Sequence, residues 1–301
     1  MAYLPLVLVV AAFVLHALGE RRACVLTGRA RDGAARRRAL AFYAALAVIV
    51  VALEPPVDSW SDQLFWVHML QHLLLLVVAA PLIVLARPWM SIWRPLPLRL
   101  RRAVAGPAMR SRALAPARAL LGLLGLAPVA WLVFNANLVL WHMPGPYDAA
   151  LGAQSVHVLE HTTFLVFGIL FWAQVAACAP ARTRLSYGQR IAYLAGAAVV
   201  NVGLSMFLAY SQHPLYGHYA ALAHRPGGIS ALTDQQIGAG FMWTAGDLPL
   251  AIAIGLLAQR WLAAHAAPPA HAAPPAHTAP PGHAAPTPYA APPAQAGTPL
   301  T

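Results

Sequence analysis

Long apolar runs recur through about the first 260 residues of the chain, each close in length to a bilayer-spanning helix. They lie at 2–19, 39–53, 63–86, 120–141, 151–177, 191–210 and 237–257. Most reach the ~20 residues that a hydrocarbon core requires at a helical rise of about 1.5 Å; the run 39–53 is shorter. Composition agrees, with 59% hydrophobic and only 10% charged residues, against roughly 25% charged in a soluble domain. The pattern predicts an all-α integral membrane protein, with about seven transmembrane helices bundled over residues 1–262. It excludes a soluble enzyme with a large core. The first run has no positive leader and no small-residue cleavage site, so it reads as a span rather than a cleaved signal peptide.

All 20 basic residues are arginine, and there is no lysine. That absence excludes a P-loop NTPase, a Schiff-base enzyme and a retinal protein, each of which needs a lysine. The lysine-free, Ala/Arg/Pro-rich usage is that of a GC-rich bacterial genome, so a multi-pass protein of the bacterial plasma membrane is expected. With seven spans, 19 of the 20 arginines share one face, in clusters at 21–38, 87–118 and 182–190 and at Arg260, and only Arg225 is opposite. The arginine-rich face is cytoplasmic by the positive-inside rule, so the N-terminus is outside and the C-terminus inside. The outer loops carry Glu54, Asp58, Asp62, Asp148 and Asp234. The net charge of +11 is therefore read as a topology signal at lipid headgroups, not as a nucleic-acid surface. Cys24 and Cys178 both fall on the cytoplasmic side, where thiols stay reduced, and two cysteines make no disulfide framework.

From 263 onward the sequence is a His/Pro/Ala-rich tail. His265, His271, His277 and His283 recur every six residues among Ala-Pro-Pro units. Such a segment has no core to bury and is expected to be a disordered cytoplasmic tail at 263–301. It is either a weak metal-scavenging tract or tolerated low-complexity drift.

The chemistry lies in the histidines of the apolar runs. The third contains His68-Met69-Leu70-Gln71-His72 and the fifth His157-Val158-Leu159-Glu160-His161. On a helix, i and i+4 share a face, so each pair can clamp one ion or bracket a cofactor edge, with Gln71 and Glu160 on the same side. Counting inward from the outer ends, His68 lies about 8 Å deep, His72 about 14 Å, His157 about 9 Å and His161 about 15 Å. Both pairs thus sit at one depth in the outer half of the bilayer, and His142, next to Met143, ends the fourth run at the same surface. A lone intramembrane histidine is often an interhelical hydrogen bonder. Two matched pairs with a buried carboxylate instead suggest a metal site, because an unpaired Glu160 is costly in lipid. His with Met suits copper, and His with carboxylate also suits zinc or iron.

Other features are weaker. Asp234 opens the seventh run, which continues through Met242 to Asp247 and Pro249. Asp247, near mid-span, is either functional or bonded to backbone freed by Pro249. Asn135, Asn137 and Asn201 read as helix-packing contacts, and His213, His218 and His224 as solvated loop histidines.

Taken together, these motifs resemble the CtaG-type cytochrome c oxidase assembly factors associated with caa(3)-type oxidases. The segments that carry the resemblance are His68-Met-Leu-Gln-His72 with Ala-Pro81, Trp141-His142-Met-Pro144 with Tyr147-Asp148-Ala-Ala-Leu151, His157-Val-Leu-Glu160-His161, and Asp234-Gln-Gln236 with Met242-Trp243. They span roughly 61–257. The resemblance implies a multispanning protein that helps build cytochrome c oxidase by supplying copper to its CuB centre, with no catalytic turnover of its own. Partners would be oxidase subunits and membrane lipid. It implies His68, His72, His157 and His161 as copper ligands, with His142 an additional or access ligand. Glu160 would orient the imidazoles, and Gln71, Asp234, Met242 and Asp247 are auxiliary candidates.

Three other readings stay open at this stage. His157-x-x-Glu160-His161 has the residue order of inverted zinc peptidases, but no glutamate follows to complete that ligand set. Spans three and five could instead bracket a His-ligated haem. A metal permease would need polar groups continuing inward, where span three is Leu-Leu-Leu-Leu-Val-Val-Ala-Ala.

Overall fold

The computed structural model describes residues 4–266 except positions 29, 31, 182 and 183. Every regular element among the described residues is helical. α1 (Leu4–Thr27) is followed by α2 (Gly33–Leu53), which Asp32 caps by accepting the Ala35 N–H at 2.6 Å. The short α3 (Val57–Ser61) precedes α4 (Phe65–Leu73), which continues through a π-helical segment, Leu74–Ala79, into α5 (Ala80–Ala86). Next come α6 (Trp89–Trp93), α7 (Leu98–Arg110), α8 (Ala115–Leu124) and α9 (Ala127–Trp141). The order is completed by α10 (Pro144–Gly152), α11 (Gln154–Ala176), α12 (Tyr187–Ala209), α13 (Gly217–Ala221) and α14 (Ala231–Ala266).

Among the described residues, four helices are long and apolar enough to cross a membrane: Phe65–Ala86, Gln154–Ala176, Tyr187–Ala209 and Ala231–Ala266. The α8/α9 pair makes a fifth if its two halves form one bent span. The protein is thus all-helical and multi-pass. Exposed Val199, Phe207, Ile252 and Leu256 on α12 and α14 are the side chains such helices turn to lipid. α1 and α2 are also long, at 24 and 21 residues. Charge intrudes on both, at Glu20-Arg21-Arg22 in α1 and Arg36-Arg37-Arg38 in α2.

One sequence expectation is corrected. The run 120–141 is not one straight helix: α8 and α9 meet at an 84° bend. The helix stops at Gly125, and Pro128, which lacks an N–H, sits in the first turn of α9, where it costs least. α14 is described as far as Ala266, and its last residues include the strong helix formers Ala263, Ala264 and Ala266. The repeat beyond it, with the tail expected to be disordered, lies at 267–301, outside the described residues.

The Phe65–Ala86 helix is the innermost of the spans, with 67% of its apolar window buried against 22% for α14. Its π segment has a local cause. The Ala80 N–H reaches back five residues to the Leu75 carbonyl. The next such bond would run from residue 81 to the Leu76 carbonyl, but residue 81 is proline and has no N–H. Trp172 on α11 fills the gap, its Nε1–H donating to the Leu76 oxygen at 3.0 Å. Small residues then let the helices close on one another, as is usual where packing rather than water drives association. A Cβ on Gly168 would meet the Ala80 Cβ at 3.0 Å, one on Gly246 would meet Leu73 at 3.0 Å, and one on Gly238 would land on the Phe65 ring. These crossings bring α11 and α14 against the helix that carries His68 and His72.

Candidate metal centre

The i, i+4 spacing does in the fold what helix geometry requires. His68 and His72 project from α4 with ring centroids 4.4 Å apart, and His157 and His161 from α11 at 4.2 Å. The two helices face each other, with His68 to His157 at 5.2 Å and His72 to His161 at 5.4 Å between centroids. His68, His157, Glu160 and His161 each bring one ligand atom into a group whose members lie within 4.8 Å of one another. His72 joins through the carboxylate. Glu160 Oε2 is 3.4 Å from His68 Nε2, and Oε1 is 3.4 Å from His72 Nε2.

Every one of these side chains is buried, Glu160 and His68 fully. The 3.4 Å approaches are within ion-pair range but do not have hydrogen-bond geometry. Both Glu160 oxygens, both His72 nitrogens, and the Nε2 atoms of His68, His157 and His161 have no hydrogen-bond partner. Leaving one buried polar group unpaired costs about 1–3 kcal/mol, so a convergent set of such atoms is an expensive arrangement for the protein alone. A cation that accepts their lone pairs would satisfy them together. The residues present therefore fit a metal ion.

Neighbouring groups orient the donors. The Tyr219 hydroxyl donates to the Ser61 carbonyl at 2.5 Å and lies 3.4 Å from His68 Nδ1. Its one proton being used, it can only accept from Nδ1–H, which leaves His68 Nε2 as the free lone pair; the tautomer is assigned from this pattern. Asp234, on α14, accepts the Phe65 and Trp66 N–H groups at 2.8 and 3.1 Å. It thereby caps α4, which has no side-chain cap of its own. Phe65, Tyr147, Tyr216 and Tyr219 pack as one buried aromatic layer over the histidines; the Tyr147 and Tyr216 rings are 4.1 Å apart, and Tyr147 is 5.1 Å from His68. Asp148 fastens that layer by accepting the Gly217 and His218 N–H groups at the start of α13.

The remaining sequence candidates fall outside the donor group. Gln71 turns its amide away, donating to the Ala52 carbonyl at 2.7 Å and to Asp58 Oδ1 at 3.3 Å. Burial raises the Asp58 carboxyl above its ordinary value, against the opposing effect of that Gln71 bond. His142 stands beside the cluster, its ring 6.0 Å from His72, with Nε2 3.3 Å from Met69 Sδ. Met242 is buried in the aromatic layer. Asp247 accepts from Asn201 Nδ2 at 3.1 Å, and the same amide holds the Met242 carbonyl. Asn135 and Asn137, expected as helix-packing contacts, bond within α9 itself: Asn135 Nδ2 donates to the Trp131 carbonyl and Asn137 Oδ1 accepts the Trp141 indole N–H. His218 reaches the Asp62 carbonyl in the loops. Residue-by-residue reading missed the tyrosine layer; the only sequence signal was Tyr147-Asp148 within the family-like segment.

The chain is thus a multi-pass helical protein whose buried group of histidines and one carboxylate, held at a helix–helix crossing, is compatible with metal binding. The family model described as cytochrome c oxidase caa3 assembly factor matches residues 22–264. The chain belongs to that family. It is also similar to an uncharacterized protein of Mycobacterium bovis and one of Mycobacterium tuberculosis, each 24% identical over 254 residues. The aligned region covers 84% of this chain but only 38% of each relative. No solved structure matches the chain.

Proposed function

We propose that this cytochrome c oxidase assembly factor binds copper in the outer half of the bilayer and helps to form the CuB centre, without catalysing a turnover of its own. The observation that supports this most is the convergence of unpartnered imidazole nitrogens and the Glu160 carboxylate in one buried group. His68, His72, His157 and His161 hold the ion, Glu160 neutralises part of its charge, and His142 stands beside them as an additional or access ligand; an imidazole-rich donor set suits copper. The oxidase subunits are the partners, and the bacterial plasma membrane is the location. A haem is disfavoured because the Glu160 carboxylate occupies the space 3.4 Å from both His68 and His72. A permease is disfavoured by the apolar side chains that follow His72, buried Leu73, Leu75, Leu76 and Val77. The test is a deletion strain. Its oxidase should be made and inserted but poor in CuB and in activity, and a copper-replete, active oxidase in that strain would reject the assembly role.

The same proposal includes seven spans, with α1 and α2 crossing as well, the N-terminus outside and the C-terminus inside. The arginine partition supports it, since only this count puts 19 of 20 arginines on one face. A reporter fused after Arg260 is expected to be active only in the cytoplasm. Activity confined to the periplasm would overturn the orientation and the depth assigned to the histidines.

A further inference from the structure

Beside the cluster, two lone pairs face each other. His142 ends α9 and is fixed there by three bonds. Its N–H donates to the Val139 carbonyl at 3.2 Å, its own carbonyl accepts the Tyr216 hydroxyl at 3.0 Å, and its ring Nδ1 lies 2.7 Å from the Leu138 carbonyl. A carbonyl oxygen only accepts, so Nδ1 carries the proton. In the neutral ring Nε2 is then a bare lone pair, and it points at Met69 Sδ 3.3 Å away. A thioether has no proton to give. Both residues are buried, at 4% and 0% exposure, so bulk water does not separate them. An imidazole that donates one ring N–H to a carbonyl and presents its other nitrogen is arranged as metal-binding histidines are. A thioether is a soft donor, suited to Cu(I). Met69 follows His68 directly, so it leaves α4 about 100° around the axis and is not one of the cluster donors.

We propose that Met69 Sδ and His142 Nε2 form a separate soft site for Cu(I) beside the His/Glu cluster. It rests on reading the protein as one that handles copper, and it deepens that reading by assigning an oxidation state to a particular pair of atoms. The cluster, built of imidazole and carboxylate, takes harder ions such as Zn(II) or Cu(II). His72 lies between the two, with its ring 6.0 Å from His142 and its Nε2 3.4 Å from Glu160.

The test uses full-length protein in detergent with Cys24 and Cys178 replaced by Ser, so that no thiolate competes. The protein is titrated anaerobically with Cu(I) against a chromophoric chelator and, at two equivalents, studied by X-ray absorption. The parent should show a sulfur scatterer. Met69→Leu, a nearly volume-conserving change that keeps the fold, should remove that scatterer and weaken Cu(I) binding at least tenfold while leaving Zn(II) binding unchanged. His157→Ala/His161→Ala should abolish Zn(II) binding and keep the sulfur signal. A sulfur signal that survives Met69→Leu, or none in a parent that binds Zn(II), would overturn the proposal. Failure of the assembly role is read elsewhere, as normal oxidase copper in the deletion strain, and leaves this spectroscopic result standing.

Discussion

Membranes from a strain carrying the His157→Ala/His161→Ala protein should contain inserted oxidase with at least about tenfold less CuB copper and activity than wild type. Loss of a group that merely orients a ligand already costs roughly 10–100-fold in metal affinity, and this variant removes two of the four clustered donors outright. The fold should survive. Neither ring makes a hydrogen bond through its Nε2, and alanine is easier to place in lipid than histidine. Equal amounts of the factor and of oxidase polypeptide have to be shown in the same membranes. If the oxidase then proves copper-replete and fully active, these histidines are not the metal site, even if the factor itself is required.

The second large effect belongs to a residue that touches none of the donors. Asp234→Ala should destabilise the protein by about 2 kcal/mol or more, because it leaves the Phe65 and Trp66 N–H groups without an acceptor at a buried helix end. The same helix carries His68, Met69 and His72, so zinc and copper affinity should fall together with stability. Asp234→Asn keeps one acceptor oxygen and should recover part of both losses. Thermal unfolding in detergent, with and without metal, measures the first effect, and equilibrium metal titration the second. Unchanged unfolding in Asp234→Ala would show that the cap contributes nothing. Lost stability with intact affinity would show that α4 holds its histidines without it.

The contrast between these two predictions marks what a sequence of this kind discloses. His68/His72 and His157/His161 were legible because their partners lie one helical turn away, and apolar runs fixed the helices that bear them. Glu160 was legible for the same reason. Gln71 shares the spacing of Glu160 yet bonds Ala52 and Asp58; periodicity names a face of a helix but not which neighbour competes for the side chain. Asp234 was visible as an acid at a span end, whereas its use lies 169 residues away on α4. Tyr147, Tyr216 and Tyr219 come from the short α10, α13 and the segment before α13, which have too few turns to show a period, and only tertiary contact gathers them. The bend at Gly125 and the π segment before Pro81 follow from single glycine and proline residues inside runs that hydropathy alone reads as continuous.

The tyrosine layer also bears on time, not only on structure. Tyr147, Tyr216 and Tyr219 are almost wholly shielded, and the Tyr219 hydroxyl is tied to the Ser61 backbone. An ion crossing that layer must first part three packed rings and break that bond. Release would then be governed by how often the lid opens rather than by how tightly the donors hold. If the proposed copper site is right, a shielded site of this kind would give up its ion slowly even to a strong chelator, at a rate set by the parting of the rings and not by the affinity of the donors.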